Sequence, residues 1–139
     1  VRALLEGETD GIAAMANLAA AVHGAFQWHW TGFYRAVGDE LVLGPFQGPV
    51  ACAHIALGKG VCGTAWKEER TLVVPDVDLF PGHIACSALS RSEIVVPVRG
   101  RSGRVVAVLD IDSALPDDFG PVDAKALEEL CEVLSPLFE

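Results

Sequence analysis

Two apolar stretches, "EIVVPV" at 93–98 and "RVVAVLDID" at 104–112, are separated only by "RGRSG". Branched residues in such runs read as β-strands, and so short a Gly-containing separator cannot hold the crossover of a dozen or more residues that parallel strands require. An antiparallel hairpin is therefore forced here. A second one is predicted where "WHWTGFYRAV" and "ELVLGPF" flank Gly38-Asp39. Thr9 or Asp10 can cap a helix running to about His23, with Ile12, Met15, Ala16, Leu18, Ala19 and Val22 on its apolar face. At the other end, "PDDFGPVDAKALEELCEVLSPLF" reads as a helix with Leu127, Leu130, Cys131, Leu134 and Leu137 on one stripe. Between the hairpins lie a Gly- and Pro-rich loop region, Gly44 to Gly63, holding the short strand "CAHIAL", then a short helix "VCGTAWKEE", a strand "TLVVPDV" and a further loop, "FPGHIACSALS". Hairpins without βαβ units predict an α/β (α+β) domain: a central antiparallel sheet, the N- and C-terminal helices packed on one side, and long loops that form a pocket. With 139 residues, 51% of them hydrophobic, the chain is expected to form one domain over 1–139.

The formal net charge of −9 opposes binding to nucleic acid and to anionic membrane surfaces, and no Lys/Arg run offers a local exception. Apolar stretches such as "IAAMANLAAAVHGAF" fall short of the roughly 20 residues that span a bilayer. The start, "VRALLEGETD", lacks the charged-then-apolar pattern of a secretory signal, so a cytoplasmic protein is expected. Because the chain opens at Val1 without Met, a preceding natural segment is expected as well.

Four cysteines need sorting. A chain with this apolar content needs no disulfide scaffold, so its thiols read as buried hydrophobes, metal ligands or reactive groups. Cys131 falls on the stripe of the last helix and reads as core. Cys52, Cys62 and Cys86 lie in or beside Gly-rich loops and are the reactive candidates. Zinc, with His54 or His83 as a fourth ligand, lacks any paired Cys-x-x-Cys or His-x-x-x-His spacing, so no metal is assigned. "GKG" at 58–60 fails as a phosphate loop, having neither the upstream glycine nor the following Ser/Thr.

If Arg101-Ser102 forms a two-residue turn, Gly100 pairs with Gly103 and Glu93 lies opposite Asp110, with Asp112 two residues further on the same face. Like charges opposite one another destabilise a sheet, so packing does not account for them. Val106 and Val108 are predicted to share that face, giving apolar residues beside acids as in a pocket wall. Crowded carboxylates there would raise at least one pKa and attract an amine. Strand periodicity also sends Trp28, Trp30 and Tyr34 to one face with a gap at Gly32, which would suit a cage for a methyl or sulfur group.

The segments "HWTGFY", "ELVLGPFQGPVACAHIALGKGVCGTA", "VVPDV", "FPGHIACSALSRSEIVVPV" and "VVAVLDID" resemble, in order, the free methionine-R-sulfoxide reductases, which are single GAF domains. The resemblance covers Trp28 to Asp112 and implies reduction of free L-methionine-R-sulfoxide to methionine. It implies Cys86 as nucleophile, Cys52 and Cys62 as resolving cysteines, and Glu93, Asp110 and Asp112 as substrate-binding and acid residues. Trp30 and Tyr34 are implied as the aromatic wall near the substrate's methyl group. No cofactor is implied; thioredoxin is the expected reductant, and a homodimer is compatible with the family. The competing expectations are a GAF module that binds a small ligand without catalysis, and a thiol redox sensor whose disulfide is the output.

Overall fold

The computed structural model describes residues 2–82 and 89–139. A short helix α1 (Arg2–Leu5) precedes α2 (Gly11–Phe26), followed by strands β1 (Trp30–Val37), β2 (Glu40–Gln47) and β3 (His54–Ala56). Helix α3 (Gly60–Glu68), strands β4 (Leu72–Val74), β5 (Ser92–Arg99) and β6 (Val105–Ser113), and helix α4 (Pro121–Glu132) complete the order, with 3-10 turns at Val77–Leu79 and Ser135–Leu137.

The strands form one antiparallel sheet in the order β3-β2-β1-β6-β5-β4. Each expected hairpin is present, and the β1–β6 pairing fuses the two. Gly38-Asp39 makes the two-residue turn, with Val37 paired to Glu40. Strand β2 includes all of "ELVLGPF" and extends one residue further, to Gln47, so the loop region begins after it rather than at Gly44. The strand admits "GP" because the register slips between the pairs Gly32↔Phe46 and Tyr34↔Leu43, a bulge that takes up the extra residue.

Alternation along the central strands sends their side chains into two separate cores. On one face, Phe33, Ile94, Val96, Ala107, Leu109 and Ile111 meet Met15, Leu18 and Val22 of α2 and Leu127 and Cys131 of α4. The N- and C-terminal helices therefore share one side, as the periodicity predicts. Asp10 caps α2 by accepting from the Ala13 N–H at 2.9 Å, and Asp123 accepts from the Gly120 N–H at the start of α4. The α2 face is rotated from the expected one: Ala14 is buried, whereas Ile12 and Ala16 are exposed. On the opposite face, Trp30, Tyr34, Val95 and Val108 pack with Leu41, Ile55, Leu72 and Val74 under α3, which contributes Val61, Cys62 and Ala65. Among the described residues, no helix is long and apolar enough to cross a membrane.

Candidate active site

The α3 face is not closed. Between α3, the loop that follows β2, and the ends of β1, β5 and β6 lies a cavity with about 50 Å³ of free volume. Trp30 and Tyr34 form its aromatic wall, Glu93, Asp110 and Asp112 its acidic one, and Val61 and Cys62 come from the first turn of α3.

The three carboxylates share one patch of sheet, but in a different register from the one the turn suggested. Glu93 pairs with Asp112, and Asp110 with Val95. The turn uses Arg101, Ser102 and Gly103 rather than two residues: the Gly100 N–H donates to the Arg104 carbonyl, and Gly103 adopts φ +86°. A second irregularity falls between Val98 and Arg99. A one-residue slip turns every side chain to the other face; two slips restore it. The pairing differs from the expected one, yet the three acids share a face. Val108 lies on that face beside Tyr34, its partner on β1, while Val106 packs against the opposite core.

Strand β1 supplies the next column, with Trp30 beside Asp112 and Gly32 beside Asp110. The gap at Gly32 is no vacant cage: a Cβ there would collide with Phe46 Cβ and meet the Trp30 ring at 2.6 Å. The glycine lets the Trp30 indole lie across the strand, stacked on Phe46 at 5.3 Å and near Tyr34 at 5.9 Å between ring centroids. Trp28, expected beside them, stacks on Phe26 and contacts Phe119 at the other core. Strand β1 begins only at Trp30, so the alternation does not extend back to residue 28.

Both wall aromatics have a second task. The Trp30 indole N–H donates to the Pro49 carbonyl at 3.0 Å, and the Tyr34 hydroxyl donates to the Cys52 carbonyl at 2.9 Å. These bonds tie the loop carrying Cys52 to the floor of the pocket. Cys52 is disulfide-bonded; Cys62 and Cys131 are free. Cys131 sits in the apolar core as predicted. Cys86, the expected nucleophile, and His83 lie outside the described residues. His54 is exposed and pairs with Glu40 at 2.9 Å, on the sheet's edge strand β3 rather than in the pocket.

The electrostatics of the patch follow from burial. Glu93 is 6% exposed, and loss of water, then the charges of Asp110 and Asp112, hold its pKa well above the ordinary carboxylate range. Asp112 is raised by the same causes, burial first and Asp110 second. Burial also pushes the Cys62 thiol up, with further contributions from Asp110 and Glu93. The patch therefore favours the protonated forms of Glu93 and Asp112 and the un-ionised thiol of Cys62. Lys59, dismissed with the failed phosphate loop, lines the cavity beside the N-terminus of α3 and is its basic lining residue. It lies in the sequence beside Gly60, but only the fold places it at the pocket.

A family model described as "GAF domain" matches residues 12–139. The chain is 50% identical to GAF domain-containing protein A of Dictyostelium discoideum, over 96% of this chain and 85% of that one. It is 44% identical to the free methionine-R-sulfoxide reductase of Escherichia coli, over 92% of this chain and 78% of the relative. An X-ray structure of the free methionine-R-sulfoxide reductase from Neisseria meningitidis, in complex with its substrate, superposes with a TM-score of 0.93 at 51% identity, covering 96% of this chain and 81% of that one. By fold, by sequence and by the cysteine-bearing segments that frame its pocket, the chain belongs to the GAF-domain family and, within it, to the free methionine-R-sulfoxide reductases.

Proposed function

We propose that this chain, acting as one domain over 1–139, reduces free L-methionine-R-sulfoxide to methionine with a cysteine nucleophile and is recycled by thioredoxin. The observation that carries the reading is the set of three carboxylates beside an aromatic wall, in a pocket lined by the residues that precede Cys52 and by Cys62. A sulfoxide oxygen leaves only when protonated, and its sulfur is attacked by thiolate, so a nucleophilic cysteine and a general acid must work together. In this reading Cys86 attacks the sulfur while the carboxyl of Glu93 or Asp112 gives its proton to the oxygen. The hydroxyl passes from the substrate sulfur to the Cys86 sulfur as the S–O bond and the transient S–S bond break, so methionine departs with the electron pair and Cys86 is left as sulfenic acid. The upward shift of the Glu93 and Asp112 pKa values supports this assignment, because it favours carboxyls that still carry a proton to give.

A second thiol then condenses with the sulfenic acid, releasing water and forming a disulfide that the thioredoxin dithiol reduces. Cys52 is favoured for this step over Cys62. Cys52 already takes part in a disulfide, whereas Cys62 is free, buried and disfavoured as thiolate by its acidic neighbours. Carboxylates that are not donating the proton attract the substrate's α-ammonium group, and Lys59 at the wall has the sign to face its carboxylate. A peptide-bound sulfoxide at an internal position lacks that ammonium, which accounts for a preference for the free amino acid.

The test is NADPH consumption in a thioredoxin and thioredoxin reductase coupled assay. Turnover is expected with free L-methionine-R-sulfoxide and not with its S epimer or a peptide-bound sulfoxide. Cys86→Ser should abolish it in protein that remains folded. Absence of turnover from folded, reduced wild-type protein would overturn the proposal in favour of a ligand-binding or redox-sensing role.

A further inference from the structure

Cys62 has no step of its own in the reaction above, yet the fold aims it at the acids. Its Sγ and one carboxylate oxygen each from Glu93 and Asp110 lie within 4.8 Å of one another, and all three residues are buried. They come from the first turn of α3 and from the adjacent strands β5 and β6. Regular elements hold them in place, so little reorganisation is needed to use them together.

A second observation concerns Glu93. It is more than nine-tenths buried, lines the cavity, and belongs to none of the ion pairs found among the described residues. The groups facing its carboxylate within hydrogen-bonding range are the other two acids, Asp110 and Asp112. Among the described residues no cationic side chain forms an ion pair with it. The free volume of about 50 Å³ exceeds the roughly 10–15 Å³ that one water needs, so an ion with a water fits.

We infer that Cys62, Glu93 and Asp110 form a binding site for a thiophilic divalent cation, Zn²⁺ by preference, in the reduced, substrate-free protein. One sulfur and two carboxylate oxygens suit zinc; calcium and magnesium take oxygen alone. Bond lengths of about 2.3 Å to sulfur and 2.0–2.2 Å to oxygen bring ligand atoms to roughly 3.5 Å from one another, a contraction that rotation of the two carboxylates supplies. Binding displaces the Cys62 thiol proton and the proton that Glu93 holds to solvent, forms the Zn–S bond and a Zn–O bond to each of Glu93 and Asp110, and leaves a fourth position for water or Asp112. An ion here fills the acidic wall of the pocket, so it and an amino-acid substrate exclude each other. The sequence spacing gave no hint of this set, because its members stand 31 and 17 positions apart along the chain.

The experiment reads binding, not turnover, so its failure leaves the reductase assignment standing and failure of that assignment leaves the site standing. Cys52→Ser/Cys86→Ser protein, which keeps Cys62, is reduced and titrated with Cd²⁺ as a spectroscopic probe. One equivalent should bind with the ultraviolet charge-transfer band of a thiolate–cadmium bond. Adding Cys62→Ser should remove the band, and Asp110→Asn should keep it while weakening Zn²⁺ binding, measured against a chromophoric chelator, by at least about ten-fold. No band in the folded double variant, or a band that persists without Cys62, overturns the inference. If the double variant does not fold, Zn²⁺ affinity of the reduced wild type is compared with that of Asp110→Asn alone, and equal affinities overturn it.

Discussion

Cys131 and Cys62 are both buried, free thiols, and they lie under opposite faces of the same sheet. Burial is the largest cause of a raised pKa in each. The neighbours differ. Cys131 packs in the core with Leu127 and Leu134, and the carboxylates that act on it, Glu128 and Glu132, belong to its own helix. Cys62 faces Glu93 and Asp110, which other elements bring to it. One face of the sheet uses alternation to bury apolar surface, the other to bury acids that repel one another. The comparison teaches that burial alone does not mark a functional thiol. What marks it is burial against groups that packing would have removed.

The largest effect expected from breaking this contrast is at Glu93. Glu93→Gln should lower kcat/KM for free L-methionine-R-sulfoxide by about 10²–10⁴-fold, the usual worth of a positioned general acid. The same change should raise the melting temperature near neutral pH, because a buried acid among like charges is removed. An unchanged rate would take Glu93 out of the reaction. On the apolar face the signs reverse. Phe33, fully buried, should lose about 3–5 kcal/mol of stability on substitution by Ala, read from denaturant unfolding. Activity per folded molecule should change little, and a selective loss of turnover would show that the two faces are not separable.

Titration sharpens the comparison further. Glu93 and Asp112 have folded pKa values raised above their ordinary ones, so the folded state binds more protons than the unfolded chain. Their contribution to stability is present below the ordinary carboxylate pKa of about 4 and is lost as pH rises toward the raised values, at up to about 1.4 kcal/mol per pH unit for each group. Thermal melts from pH 5 to 8 should slope downward in the wild type and flatten in Glu93→Gln/Asp112→Asn. Identical slopes would mean that the patch is wet and unperturbed. The smallest effect is expected at Tyr34. Tyr34→Phe deletes the hydroxyl that holds the Cys52 carbonyl, at a cost of about 1 kcal/mol. In single turnover it should slow disulfide formation more than methionine release. Equal slowing of both would assign Tyr34 to the substrate alone.

Much of this contrast could be read from the chain. Periodicity placed both hairpins, both long helices, Cys131 in a core and the three carboxylates on a common face. The face was right although the turn was wrong, because parity survives two slips. Trp28 failed for a local reason: the strand starts two residues later, and the alternation drawn through it was not real. Ile12 and Ala16 failed because several small apolar residues in α2 leave the orientation of its stripe weakly specified by sequence, and packing on the sheet chose Ala14.

The sequence by itself determined the antiparallel hairpins, the character of each strand face and the family, since these rest on neighbours within a few positions and on ordered motifs. Only the tertiary structure decided that β1 pairs with β6, placing Trp30 beside Asp112, and that α3 docks over the acids, bringing Cys62 to Glu93 and Lys59 to the pocket wall. It also decided that Trp30 and Tyr34 hold the Cys52 loop by its carbonyls. The physical reason is range. Side-chain periodicity records which way a residue points, whereas the partner it meets is fixed by pairing and docking between segments far apart in the chain.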